Sequence, residues 1–549
     1  MELTRSGINS PAAWVKAGIS LPGFDIDAMV SRTKQCPRWV HFGAGNIFRG
    51  FLAACCQELL ELGLVESGIV VAEAFDLEIL DTIYRNCDNL SLNVAAASDG
   101  RLAMTVVSSI AEALAADPAR VPNWERLGWV FEQPSLQMAS FTITEKGYAI
   151  AASGELIEVV KGDIRRGPAA PVHVMAKVAA LMLKRYAAGA APIALVSMDN
   201  CSHNGEKIRD AVTAISVGWL ALGFVDGGFI SYLKDGMKVS FPWSMIDKIT
   251  PRPSEAIRRT LEDAGFQGME IVVTGKNTWI APFVNSEVSQ YLFIEDDFPN
   301  GRPPLEKARG VWFTDRATVN RVETMKVTTC LNPLHTAIAI TGRLLGREMV
   351  FEALGDRTIA GLVHRIGYIE GLPVVVDPGV IKPIDFLDDV VKNRFPNPYI
   401  PDTTSRIASD TSQKMGVRFG ETIKSYVRNQ DLKVNDLTGI PLVIAAWFRY
   451  LMAMDDEGHP LAVSPDPMKD ELCNLVSGCR LGGPSVDLSQ ILSNAAIFGS
   501  NLDSIGLGAR IQEMFDRMIV GPGAVRATLD AYLHPTHVTH SELRPTANP

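Results

Sequence analysis

Between Glu323 and His335 the chain gathers a lysine, Lys326, an amide, Asn332, and an imidazole, His335. Removing hydride from a secondary alcohol needs a base for the hydroxyl proton and donors for the developing oxyanion. A lysine acts as that base when desolvation or a nearby positive charge lowers its pKa. An asparagine amide donates to the oxyanion without any change of protonation. Asn200, just after the apolar run 192–198, is a second such amide. Ligands of open α/β sheets bind beyond the carboxyl ends of strands, where Asn200 is expected. Asn332 and His335 are three residues apart, so on a helix they share a face, and His335 can orient a substrate hydroxyl. Each has a plainer reading: a solvated lysine, an Asn-Pro helix start, a cap or core histidine.

A second constellation gives the first its meaning. Residues 39–51, with Gly43 and Gly45, read as a strand, a glycine turn and a helix. The first glycine lets the chain turn sharply off the strand. The second removes a side chain where a pyrophosphate must approach backbone N–H groups. Asn46 and Arg49 follow at the helix start, and Arg49 reads equally as a phosphate partner or as a solvated helix residue. Phe48 stands where a third glycine is usual. The next apolar run ends at Glu73, with Asp76 shortly after. Carboxylates there accept from ribose hydroxyls and repel a 2′-phosphate, so NAD is expected rather than NADP. The eight cysteines form no C-x-x-C pair, so neither zinc nor disulfides are expected.

These residues must be positioned by two kinds of architecture. Strand-like runs at 68–74, 103–110, 139–143 and 192–198 alternate with helical patterns at 46–63, 170–188 and 206–222. That alternation predicts an α/β, Rossmann-like, doubly wound parallel sheet. From 240 to 300, strand-like pieces sit among turns rich in Pro, Gly and Asn. Beyond about 320 helical periodicity dominates. The expected organisation is a dinucleotide-binding domain with a β-rich extension over 1–315 and a mainly helical substrate domain over 316–549. The tail after 533 reads as an ordered strap or a frayed end.

Bulk properties narrow the function. The 549 residues are 47% apolar and 21% charged, and carry a formal charge of −10. That charge argues against a general binder of nucleic acid or anionic membranes. The longest apolar stretch, 439–454, is broken by Pro441 and Arg449. The N-terminal residues lack the layout of a signal peptide. A cytoplasmic protein, monomeric or a small homo-oligomer, is expected.

The motifs resemble the polyol-specific long-chain dehydrogenases, the mannitol dehydrogenase family. His41 to Gly50 is similar to the family's H-[FL]-G-x-G-x-x-x-R-[GA]. Asp199 and Asn200 with Asn204 and Gly205 resemble its D-N-x-x-x-N-G segment. Phe241 to Pro251 resembles F-P-x-S-M-x-D-R-I-T-P, and Gln290 to Pro304 resembles Q-W-x-I-E-D-x-F-x-x-G-R-P. The segment from Arg394 to Arg406 resembles R-F-x-N-P-x-I-x-D-x-x-x-R.

The resemblance implies Lys326 as general base, Asn200 and Asn332 as oxyanion donors, and Glu323 as a water or proton gate. It implies Asp247 and His335 at the substrate, with Arg394 or Arg406 reaching a polar or anionic end of it. The family pattern E-x-x-K-x4-N-x2-H is met with one departure, since five residues rather than four separate Lys326 from Asn332. One extra residue turns an α-helix by about a quarter-turn or more. Lys326 therefore lies before the regular helix, or the helix entry is bulged. The implied activity is NAD-dependent and zinc-independent, on an open-chain sugar acid such as D-mannonate and D-fructuronate. A polyol such as mannitol or arabinitol is the alternative, and a catalytically inactive sugar- or nucleotide-binding protein is the alternative of another class.

Overall fold

The computed structural model describes residues 1–148 and 155–534. The predicted strap or frayed tail lies, apart from His534, outside the described residues. The chain folds as two compact units, Met1–Glu323 and Thr324–Pro549.

The first unit is built on a six-stranded parallel sheet. Its strands are β1 (Trp39–Phe42), β2 (Ile69–Glu73), β3 (Ile110–Ala115), β4 (Met138–Phe141), β5 (Ile193–Ser197) and β6 (Val239–Ser240). They lie in the order β3-β2-β1-β4-β5-β6. The order reverses between β1 and β4, which makes the carboxyl end of β1 the crevice where such sheets bind ligands. These strands are apolar on both faces because helices cover both. Val40, Phe42, Val70 and Ala72 point into one core with Leu127, Phe131 and Val178. Trp39, Ile69 and Val71 point into the other with Phe48, Phe51 and Leu59. At the opposite end of the sheet, buried Arg185 places all five of its N–H groups on carbonyls of Phe131, Gln133, Leu136, Ala191 and Pro192.

The predicted strand 103–110 needs correction. Leu102–Val107 belongs to a separate four-stranded mixed sheet, with Ile19–Ser20, Ser91–Ala96 and Phe283–Glu287. The third strand of the main sheet is Ile110–Ala115. Ser108 and Ser109 break the run between the two strands. Both are buried, with Ser108 bonded to Gln57 and Ser109 to the Ala53 carbonyl. The β-rich extension expected over 240–300 is present as this mixed sheet together with Ser244–Asp247, Tyr291–Glu295 and Val311–Thr314.

The second unit is helical, and among its described residues no strand forms. Its central helices are Asn332–Leu344, Gly439–Leu451 and Gly508–Met518. Gly439–Leu451 is buried on every side, which is why its sequence is nearly all apolar. Its exposed amides are capped by buried Glu370, which accepts from the N–H groups of Thr438, Gly439 and Ile440. Four helical stretches of this unit widen into π-turns: Lys326–Cys330, Arg365–Gly371, Val390–Arg394 and Gly416–Gly420.

Candidate functional site

The candidate residues are distributed over both units and are described unit by unit. In the first, β1 ends in the glycine turn. Gly43 has φ +112°, and a Cβ there would meet the Thr142 carbonyl at 2.4 Å. Only glycine fits. Gly45 differs: a Cβ on it would meet nothing within 4 Å. The fold itself leaves the space above Gly45 open, as a pyrophosphate lying against the backbone requires. Ala44 between them is held from both sides. Its N–H donates to Glu73 Oε2 at 2.7 Å, and its carbonyl accepts from Tyr84 Oη at 2.9 Å.

Glu73 and Asp76 are both buried, and both have protein partners. Glu73 Oε1 accepts from the N–H groups of Ala74, Phe75 and Asp76 at 3.0, 2.8 and 3.2 Å. Asp76 accepts from the hydroxyls of Thr274 and Thr278. The two carboxylates expected to meet ribose hydroxyls also brace the turn at the end of β2. A cation that lies far off in the sequence, Lys276, sits 5.6 Å from the Phe75 ring.

Arg49 corrects the solvated reading. It is 1% exposed, and donates to the Ala281 carbonyl at 2.8 Å and to Asn46 Oδ1 at 2.9 Å. Asn46 in turn donates to the Pro251 carbonyl at 3.2 Å. The pair locks the helix start onto neighbouring loops, so Arg49 is not a solvated side chain. Buried His41 bonds Ser140 and Thr142, and burial pushes its pKa down to about 3, so it is neutral.

Beyond β5, Asp199 accepts from the N–H groups of Ile143 and Thr144 and from Tyr148 Oη. Those bonds fix the turn that presents Asn200, which is exposed. Asn204 spends its amide on the Asp199 carbonyl and on Ser244 at both its backbone and hydroxyl. It thereby joins this turn to the strand Ser244–Asp247, whose last residue is the buried Asp247. Glu323 accepts from the Ser202 hydroxyl, so the predicted gate residue reaches the Asn200 turn. Tyr148, Ser202 and Asn204 escape sequence reasoning as positioning residues. Only the resemblance to D-N-x-x-x-N-G points to one of them.

In the second unit Lys326 opens the π-turn Lys326–Cys330, and Asn332 opens the helix that follows. The Leu331 N–H reaches back to the Lys326 carbonyl at 3.1 Å, the wide i→i+5 bond. The helix entry is therefore bulged, and this turn is where the extra residue is taken up. Lys326 is 2% exposed. The His335 ring packs on Phe395, with centroids 4.7 Å apart.

The two arginines expected at the substrate differ. Arg394, on the π-turn Val390–Arg394, is buried. Arg406 is committed to Asp402 through a two-pronged ion pair, and its side chain is largely exposed. Lys414 donates to the Ser409 carbonyl at 2.5 Å. Arg418, which the motifs do not single out, donates through Nη1 to Thr336 Oγ1 at 2.6 Å, next to His335 in the chain. Among the described residues, no group of three or more His, Cys, Asp or Glu is placed to hold a metal ion.

Comparison with known proteins adds to this geometry. Residues 37–307 match the mannitol dehydrogenase Rossmann domain and residues 318–519 the mannitol dehydrogenase C-terminal domain. The sequence is 53% identical to a D-mannonate oxidoreductase of Thermotoga maritima, over 96% of this chain and 98% of that one. It is 29% identical to a polyol:NADP oxidoreductase of Gluconobacter oxydans, over 83% of this chain and 86% of that one. Among solved structures, a substrate-free D-sorbitol dehydrogenase superposes with TM-score 0.79 at 25% identity, covering 96% of this chain and 99% of that one. Pseudomonas fluorescens mannitol 2-dehydrogenase, in ternary complex with NAD and D-mannitol, gives 0.70 at 26% identity, covering 97% and 99%.

Proposed function

The chain belongs to the mannitol dehydrogenase family, and from that premise we propose that it interconverts D-mannonate and D-fructuronate with NAD(H). The observation that carries this reading is the likeness, over nearly the full length of both chains, to a D-mannonate oxidoreductase. The open backbone at Gly45 fits a dinucleotide pyrophosphate, and the Glu73 and Asp76 carboxylates beside the turn favour NAD over NADP. The bound nicotinamide supplies a two-electron hydride acceptor or donor.

The chain's own residues do the rest. In the oxidising direction Lys326 Nζ takes the proton of the secondary hydroxyl as its carbon loses hydride, which leaves a ketone. In the reducing direction the same nitrogen returns the proton. Lys326 is buried, and the amine must be neutral when it takes the proton. The amides of Asn200 and Asn332 hold the oxygen whose charge changes. His335, fixed against Phe395, orients a neighbouring hydroxyl, and Asp247 binds another. Glu323, bonded to Ser202, passes the proton between Lys326 and water. No metal is used in this scheme.

A screen of NADH oxidation with fructuronate, tagaturonate, fructose and xylulose tests the reading. Fructuronate is expected to be turned over with a catalytic efficiency well above that for the neutral ketoses. Good turnover of fructose with none of fructuronate would move the chain to the polyol reading, which relatives acting on mannitol and on other polyols favour. NADH binding with no turnover of any of them would leave an inactive binding protein.

A further inference from the structure

Several arginines of the second unit have their charges met in the fold, and Arg418 is not among them. Arg406 has Asp402, Arg365 has Glu370, and both Arg347 and Arg526 have Asp356. Arg449 and Arg510 place their forks on backbone carbonyls. Arg418 is half-buried, and among the described residues its guanidinium has one partner, the Thr336 hydroxyl. Burial pulls its pKa down to about 10, which still leaves it charged at neutral pH. A desolvated guanidinium without an anion is costly to hold, and a fold that keeps one has a use for it.

Its position says what the use is. Arg418 lies on the π-turn Gly416–Gly420, which packs against both the π-turn Lys326–Cys330 and the helix Asn332–Leu344. Thr422, just beyond, donates to the Thr328 carbonyl at 3.3 Å. Thr336 is 2% exposed and stands four residues after Asn332, on the same face of the helix. The guanidinium is thus tied to the face that carries a proposed oxyanion donor, by one N–H only. Its remaining donors match the two oxygens of a carboxylate in the side-by-side geometry that arginine favours.

We propose that Arg418 receives the carboxylate of the substrate and selects a sugar acid over an uncharged sugar of the same length. The inference rests on the sugar-acid reading above and deepens it by naming the selecting residue.

The test compares fructuronate with its uncharged amide in NADH oxidation, so that the reacting ketone is the same in both. Wild type, Arg418→Gln and Arg418→Lys are measured. For Arg418→Gln the ratio of kcat/KM for fructuronate over the amide is expected to fall about 100-fold, mainly through KM, as befits a lost charge-assisted pair. Arg418→Lys, a point charge without the fork, should fall between. Should Arg418→Gln not fold, Thr336→Val keeps the charge and removes its anchor, and a fall of about fivefold or more in the same ratio is expected. Equal losses on both substrates would make Arg418 a structural brace and overturn the inference. A wild-type enzyme that turns over fructuronate, with an unchanged ratio in every variant, would overturn it while leaving the sugar-acid reading intact. A wild-type enzyme that ignores fructuronate would remove both.

Discussion

In the first unit Gly43, Gly45, Glu73 and Asn200 stand on turns or strand ends at the carboxyl edge of the sheet, whereas in the second Lys326 and Arg394 stand on helices widened into π-turns. A strand end needs outside help to hold a loop, and the help is visible. Glu73 and Tyr84 clamp Ala44, Asp199 clamps the turn before Asn200, and Asn204 ties that turn to the strand of Asp247. A helix needs the opposite, a local loosening that re-aims one side chain while both ends stay packed. The π-turns that carry Lys326, Arg394 and Arg418 supply it. The comparison teaches that the first unit holds its candidate turns by added bonds, and that the second presents Lys326 by a widened helical turn.

The sharpest way to break this comparison is to remove the side chain that the second unit aims. Lys326→Ala is expected to lower kcat by about 1000-fold or more, because proton transfer and charge stabilisation are lost together. NADH affinity, read from its fluorescence on titration, should change little, since in this reading coenzyme affinity is set by the glycine turn. Near-normal turnover would put the base elsewhere and reduce the π-turn to a packing detail.

The two regions also differ in how far they could be read from sequence. The glycine turn, the strand at 69–73 and the helical second half were legible, because period-2 and period-3.6 patterns with glycine punctuation reflect local physics. The parallel, doubly wound class followed from the alternation of strands with helices, but the order of the six strands did not. The strand Ile110–Ala115 was missed because it follows another strand across only two serines, with no helix to announce it. Arg49 was misread because its partners, the Ala281 carbonyl and Asn46, are set by tertiary packing. The π-turns leave no trace in a hydrophobic pattern. One showed itself solely as a spacing that departs from a family motif. The contact of Arg418 with Thr336 joins residues 82 apart in the chain, and nothing in either neighbourhood signals it.

A smaller effect separates the two glycines of the turn. Gly43→Ala forces a Cβ against the Thr142 carbonyl at a positive φ, so a loss of more than about 1 kcal/mol of stability is expected, together with weaker coenzyme binding. Gly45→Ala meets no protein atom, so its thermal midpoint should stay close to wild type while NADH binding weakens by about tenfold. Melting curves and NADH titrations on both variants decide the matter. If Gly45→Ala binds NADH normally, the open space above it is not where the pyrophosphate lies.

The smallest effect concerns coenzyme choice, where bracing and recognition are carried by the same carboxylate. Glu73 holds the Ala44 N–H and also keeps a negative charge at the end of β2, where a 2′-phosphate would have to come close. Glu73→Gln removes the charge, and its amide nitrogen must face either the Ala44 N–H or the three N–H groups that Oε1 now accepts from, so the brace weakens as well. Preference for NADH over NADPH, measured as a ratio of kcat/KM, should therefore narrow by several-fold, with NADH efficiency itself also reduced. Lys276, 5.6 Å from the ring of exposed Phe75, sets the direction of a second step. With the Glu73 charge gone, a cation there favours the phosphate, as less opposite charge offsets it. Adding Lys276→Ala to Glu73→Gln should accordingly restore part of the NADH preference. A wild-type enzyme that prefers NADPH would show that the cation outweighs both carboxylates. It would then leave Glu73 and Asp76 with bracing as their whole task.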